Sequence, residues 1–267
     1  MTIYILVACS KSKTASPPLD LTWSESTNLT QWSQAWSRQK RTHKAKDLYS
    51  GRSCRKQIEL CSDYENVDVR IISAGAGLIS PDDMIPPYEA TFLPNKGPDL
   101  TEWHELPMGG LGNINLLEGD KIVSFAPGNY HRALLEDPHY PRVSKFIVAA
   151  STSPLSVSCG FVIKVHSRSR EVLGAASIDL NTRYLELYLH KGLKGFEDLY
   201  SDAAGLPPKQ KRRRVSETEL KEVVRDNMEV GSLNALVRRI RDDLQYSASY
   251  ERIREIRSRL RSQESKS

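Results

Sequence analysis

Asp68-Val-Arg-Ile-Ile-Ser-Ala-Gly-Ala-Gly-Leu-Ile-Ser-Pro-Asp-Asp-Met-Ile-Pro-Pro-Tyr-Glu89 runs from a short apolar stretch into a loop of small, turn-forming and acidic residues. Val69, Ile71 and Ile72 read as a buried strand over 68–74. Beyond it, Ser73, Gly75 and Gly77 allow backbone amides to approach a ligand, and Asp82, Asp83 and Glu89 bring negative charge into one loop. Ile3-Tyr-Ile-Leu-Val-Ala8 reads as a second buried strand, over 2–8, and it empties into the cationic turn Cys9-Ser-Lys-Ser-Lys13. Two strand ends of opposite charge could thus share one crevice.

Two further short apolar runs, 120–126 and 144–150, complete a set of four predicted strands separated by helix-like segments. This alternation predicts an α/β fold with a central, mostly parallel sheet flanked by helices. Ser50 is a predicted cap for a helix to about Cys61, with Cys54, Ile58 and Cys61 on one face. The segment 14–36, with Trp23, Trp32 and Trp36, reads as a long insertion over the strand end, either a lid or a loop anchored by its own tryptophans. A second insertion, Phe92 to Pro107, carries Trp103 and His104 and leads into a predicted helix ending near Leu117. Phe161–His166 and Arg183–His190 alternate as antiparallel or edge strands would, extending the same sheet.

Of the 267 residues, 39% are hydrophobic, enough for a substantial core. Residues 207–267 hold 16 Lys and Arg against 10 Asp and Glu, leaving 22 against 23 in residues 1–206. The basic excess therefore belongs to a C-terminal extension, predicted as a basic linker over 207–215 and a helical segment over 216–267. Ser216-Glu-Thr-Glu219 has the form of a capping box, and helices are expected at 216–228, 232–246 and 249–262. Residues 1–206 form the predicted α/β domain.

Cys9, Cys54, Cys61 and Cys159 have no CxxC or metal-finger spacing, and the histidines have no ligand-like spacing, so neither metal nor cofactor is expected. Leu6-Val-Ala-Cys9 imitates a lipoprotein cleavage box, yet it lacks a positive leader and a long apolar run, so a cytoplasmic protein without a membrane span is expected.

Ser10, Lys11, Ser12 and Lys13 suit a phosphate grip, without Walker spacing. Cys9 could be a nucleophile or a small packed residue. A carboxylate such as Asp82 or Glu89 could stabilise an oxocarbenium ion or orient water, although Asp82 and Asp83 could also cap a short helix. In Ala126-Pro-Gly-Asn-Tyr-His131, Tyr130 could stack on a base and Asn129 or His131 could hydrogen-bond one, with Asn129 equally suited to capping a helix. Lys211, Arg212, Arg213 and Arg214 could contact phosphates or simply be solvated, and the helix around Ile253, Ile256 and Leu260 carries arginines beside its apolar face.

Ala8-Cys-Ser-Lys-Ser-Lys13, Lys46-Asp-Leu-Tyr-Ser-Gly51, Ile72-Ser-Ala-Gly-Ala-Gly-Leu78 and Ile85-Pro-Pro-Tyr-Glu89 occur in the order found in a bacterial family of peroxide-stress-protein-like domains, which residues 1–150 resemble. The resemblance implies a uracil-DNA-glycosylase-like fold and, by similarity to anti-phage defence glycosylases, release of a modified base such as glucosylated hydroxymethylcytosine from double-stranded DNA. It also implies a base pocket around Cys9, Ser73, Gly75, Gly77, Tyr88, Asn129 and Tyr130, widened because Gly and Ala replace a bulkier pair found in relatives. Two other functions fit the same residues: base exchange or nucleoside hydrolysis on RNA or nucleotides, and DNA binding without catalysis.

Overall fold

A computed structural model describes residues 1–140, 146–149, 161–163, 165–207 and 212–264. The chain divides into two compact units, Met1–Gly205 and Leu206–Ser267. In the first, six strands form one sheet: β1 (Ile3–Ala8), β3 (Val67–Ser73), β4 (Gly77–Ile79), β6 (Lys121–Ser124), β7 (Phe146–Ala149) and β8 (Phe161–Ile163), in the order β4-β3-β1-β6-β7-β8. Every pairing is parallel except β3 with β4, which turn back on each other so that Ser73 faces Gly77. A separate antiparallel ladder joins β2 (His43–Lys44) to β5 (Met84–Ile85).

The central strands are buried along their length: Ile5, Leu6, Val7, Ile71, Ile72 and Val123 have no exposed surface. Such near-continuous apolar runs are what a parallel sheet covered on both faces requires. Helix α3 (Arg52–Cys61) packs on β1 and β3 and against α6 (Leu180–Gly205), which is broken at Gly192, and α4 (Gly128–Glu136) follows β6.

The mostly parallel α/β sheet agrees with the sequence expectation. Several elements differ. Arg183–His190 is not a strand but lies in α6, where Tyr184, Leu185 and Tyr188 are buried at helical spacing and Arg183 bonds Glu186 at 2.6 Å, one turn away. A four-residue alternation of large apolar groups satisfies a helix stripe as well as a strand face. Phe161–Ile163 does join the sheet, but parallel to β7. The helix expected near Leu117 is replaced by two 3-10 turns, Leu100–Glu105 and Leu111–Asn113. Gly51, not Ser50, precedes α3. Of the strand expected over 144–150, the described part is β7; Cys159 lies outside the described residues.

The end of the Trp-rich insertion belongs to the core, whereas most of residues 14–31 are exposed or half-buried. Helix α1 (Leu29–Arg38) starts with a capping box between Asn28 and Gln31, and Trp32 and Trp36 are enclosed. Their rings lie 6.2 and 5.6 Å from that of Tyr88, and Trp32 donates its indole N–H to the Gly75 carbonyl at 2.7 Å.

In the second unit, α7 (Glu217–Asp226), α8 (Leu233–Arg238) and α9 (Tyr250–Glu264) surround a core containing Leu220, Val224, Leu236, Ile240 and Ile253. The segment expected to be linker is partly ordered into it: β9 (Arg213–Arg214) pairs with β10 (Tyr246–Ser247), and Val215 is buried.

Candidate functional site

From β1 the chain crosses to β3 on one side, while β6 pairs with the other side of β1. Loops leaving the carboxyl ends of β1 and β6 therefore diverge, and in doubly wound sheets this switch point is where ligands bind. A crevice of about 430 Å³ lies there, within the usual size of a small-ligand site. Ala8–Ser12 form one wall, the first turn of α3 with Gln57 another, and Phe125, Pro127, Ser177, Ile178 and Asn181 complete it.

The wall chemistry is cationic and hydroxylated. Lys11 and Arg52 bring charge, Ser10, Ser12 and Ser53 bring hydroxyls, and α3 begins at Gly51 without any side-chain cap. Its first-turn amides and the positive end of its dipole thus add to an anion-binding surface. Gly51 is required here, because a Cβ would run into the Ser10 side chain. Arg52 is held at the rim by Asp179, 3.2 Å away. Arg52, Ser53, Gln57 and Asn181 escaped sequence reasoning; the available signal was a glycine, in place of a hydroxyl or carboxylate cap, at the start of a helix near a strand end.

Among the residues expected at the site, Cys9, Ser10, Lys11 and Ser12 line the crevice. The Cys9 Sγ lies 3.6 Å from the Tyr130 hydroxyl, and Tyr130 packs edge-on against Phe92 with ring centres 4.8 Å apart. Burial, reinforced by Cys9, pushes the Tyr130 hydroxyl far above its ordinary pKa, so it stays protonated. Asn129 does not cap α4, whose capping position is Pro127; it borders a separate, larger groove of about 740 Å³ between the 23–29 and 92–102 segments.

Ser73, Gly75, Gly77 and Tyr88 are enclosed and do not line the crevice. The Tyr88 hydroxyl lies 2.6 Å from that of Tyr49 and 2.5 Å from the Ser73 hydroxyl, which also accepts the Ala76 amide at 2.9 Å. Trp103 donates to the Ser73 carbonyl at 2.9 Å. The room that small residues seemed to open is filled by the protein itself: a Cβ on Gly75 would stand 2.5 Å from the Tyr88 ring.

Lys13 turns inward from the crevice loop. Its side chain is 4% exposed, its ammonium sits 4.5 Å over the Tyr88 ring, and Glu89 approaches it at 3.8 Å. Burial lowers the lysine pKa, while Cys9 and Glu89 act in the opposite direction. A desolvated ammonium between an aromatic face and a carboxylate is a cation–π and ion-pair site combined.

Asp82 lies elsewhere. Its exposed carboxylate meets Lys46 at 2.8 Å and Lys44 at 3.0 Å, and these hydrogen bonds, Lys46 first, hold its pKa below the usual range. Neither Asp82 nor Glu89 lines the crevice. Asp83 accepts the Ser80 amide at 2.7 Å and closes a turn. In the C-terminal unit, Arg212 pairs with Asp242 at 2.8 Å, and Arg213 pairs with Glu219 and covers the Tyr246 ring. Arg214 is exposed, and Lys211 lies outside the described residues.

His131, on α4, is fully buried with its Nε2 2.8 Å from the Ser124 hydroxyl. Burial lowers its pKa from 6.5 to about 4, with hydrogen bonding to Ser124 pulling the other way. Above pH 6.5 the ring is neutral whether the chain is folded or not. As pH falls toward 4, the unfolded chain takes up a proton that the folded chain refuses, so stability drops by up to about 3 kcal/mol. Urea melts at pH 7 and 4.5 should show this loss, and His131→Asn should flatten it; an unchanged pH dependence in the variant would contradict the assignment.

Among the described residues no group of three His, Cys, Asp or Glu could hold a metal ion, and no helix is long and apolar enough to cross a membrane. Residues 33–151 match a family of unknown function (DUF6884). That span includes β3, β4, β6 and the first turn of α3, but begins after the Cys9–Lys13 turn. No curated protein and no solved structure matches the chain.

Proposed function

We propose that the α/β unit is a DNA N-glycosylase that receives a nucleotide turned out of the duplex in the crevice at the carboxyl ends of β1 and β6. The observation that carries this reading is the convergence there of Lys11, Arg52, four serine hydroxyls and the uncapped start of α3. Such a surface suits a phosphate, and Phe125 and Ile178 supply apolar area for a base or sugar. The sheet flanked by helices and the four motifs in register support a uracil-DNA-glycosylase-like arrangement. Resemblance to defence glycosylases points to a modified cytosine, such as the glucosylated hydroxymethyl form, as the base.

In the proposed reaction the bond from C1′ to the base nitrogen breaks with its electron pair leaving on the base. Water adds to C1′ and its proton passes to the departing base, leaving an abasic site. Glu89 is the carboxylate coupled to the crevice loop, through Lys13, and is assigned the role of stabilising the oxocarbenium ion. Asp82, held by two lysines at the surface, is not needed in this scheme.

A second reading, DNA binding without bond cleavage, is favoured by one observation: neither carboxylate lines the crevice. Mass spectrometry of free bases decides between them. Incubation with glucosylated, hydroxymethylated DNA should release the modified base, whereas unmodified DNA should release none. Retained DNA binding with no base freed from either substrate would select the binding module, and release from RNA or nucleotides alone would select the base-exchange or nucleoside-hydrolase class.

A further inference from the structure

We propose that the C-terminal unit contains a phosphate-binding groove on one flank of α9, formed by Arg254, Arg257 and Arg261 with Ser258 and Ser262. The groove measures about 460 Å³, and Leu233 also lines it. Positions 254, 257, 258 and 261 fall on one side of the helix, next to the apolar seam of Ile253, Ile256 and Leu260, which faces the unit's core. The seam fixes which way the arginines face.

Arg257 is the built part of the site. It is only 5% exposed, and one guanidinium nitrogen donates to the carbonyls of Val230 at 2.6 Å and Gly231 at 3.1 Å. These bonds lock the guanidinium in place, while its Nε–H has no hydrogen-bond partner among the described residues. Burial, and then the charge of Arg261, disfavour its protonated form, so two like charges are crowded at this point. The neighbouring acids are taken up by Arg259, which approaches Glu217 at 3.8 Å and Glu255 at 3.9 Å. Among the described residues, no carboxylate pairs with Arg254, Arg257 or Arg261.

An anion entering the groove would relieve the repulsion between Arg257 and Arg261. A phosphate group fits best, because its several oxygens can accept from planar guanidinium forks and a hydroxyl together. The phosphate could belong to a polynucleotide backbone or to a small phosphorylated molecule. By contrast, Arg212 and Arg213 are already engaged by Asp242 and Glu219. The site does not depend on bond hydrolysis in the α/β unit.

The test uses the full chain and follows arginine Nε–H resonances by NMR while inorganic phosphate is added at constant ionic strength. The Arg257 signal, assigned by its loss in Arg257→Lys, should shift saturably, and Arg254→Gln or Arg261→Gln should weaken the titration several-fold. Arg212→Gln should leave it unchanged. Circular dichroism confirms that each variant is folded; Arg254 and Arg261 carry the test because Arg257 also holds two carbonyls. A 20-base-pair duplex that moves the same signal at far lower concentration, with a salt slope reduced by about 1 per arginine removed, identifies the backbone as the source. A duplex no better than orthophosphate identifies a small phosphate ligand. An Arg257 signal unmoved by both, or equal weakening by Arg212→Gln, overturns the proposal. No base release is read here, so failure of the hydrolytic reading leaves this result intact.

Discussion

Gly77→Ala is expected to lower the melting temperature of the α/β unit by roughly 6–12 °C, the equivalent of about 3 kcal/mol in a domain of this size. Two independent causes act at this position. Gly77 has φ +104°, a conformation that side-chain-bearing residues rarely adopt, and an added Cβ would run into the carbonyl oxygen of Gly109. That carbonyl cannot retreat easily, because it accepts the Leu78 amide at 2.7 Å. Ser73, which faces Gly77 across the turn, is bonded to Tyr88 and Trp103, so displacement would propagate into the buried layer around them. Gly128→Ala is the control: nothing lies within 4 Å of its Cβ position, at the first residue of α4, and it should melt at or above the parent temperature. Equal melting of Gly77→Ala and the parent protein would refute this account of the turn.

Glu89→Gln should slow base release about 10²–10³-fold, the cost of removing one well-placed charge from a transition state, and Asp82→Asn should stay within about twofold of the parent. Both residues are carboxylates of one acidic loop, and the structure separates them. Glu89 faces an ammonium with almost no solvent contact, whereas Asp82 is 61% exposed and salt-bridged to flexible lysines. An exposed pair of this kind contributes little to stability or to the field in the crevice. Thermal melting of both variants separates a catalytic loss from unfolding. Equal, unchanged rates would remove Glu89 from the reaction, and a large loss in Asp82→Asn would move the chemistry to the outer loop.

The sheet was legible because its strands are short apolar runs bounded by turn residues, a pattern that a buried parallel strand almost obliges. The crevice was half legible: Cys9-Ser-Lys-Ser-Lys13 announced itself by charge at a strand end. Its opposite wall did not, because Arg52, Ser53 and Asn181 reach it only through the packing of α3 against α6. Small residues misled at Gly75, since sequence records the missing side chain but not the Tyr88 and Trp32 rings that fill its place. Alternation misled at Tyr184–Tyr188 because three large groups suffice for either period. In the C-terminal unit, the charge run at 212–214 drew attention, yet Arg212 and Arg213 spend their charge internally, while Arg254, Arg257 and Arg261 share one groove on α9 without a carboxylate partner among the described residues.

The crevice as the point of nucleotide entry is tested most directly by the alkylation rate of Cys9, followed by peptide mass spectrometry with and without saturating substrate DNA. Cys9 is half-buried and lines the crevice, whereas Cys54 and Cys61 are enclosed and burial raises both thiols to about 12, leaving them unreactive at neutral pH. Bound DNA should slow modification of the Cys9 peptide at least several-fold, and Lys11→Gln should diminish that protection. An unchanged Cys9 rate in the presence of DNA that is demonstrably bound would place the nucleic acid elsewhere and contradict the account.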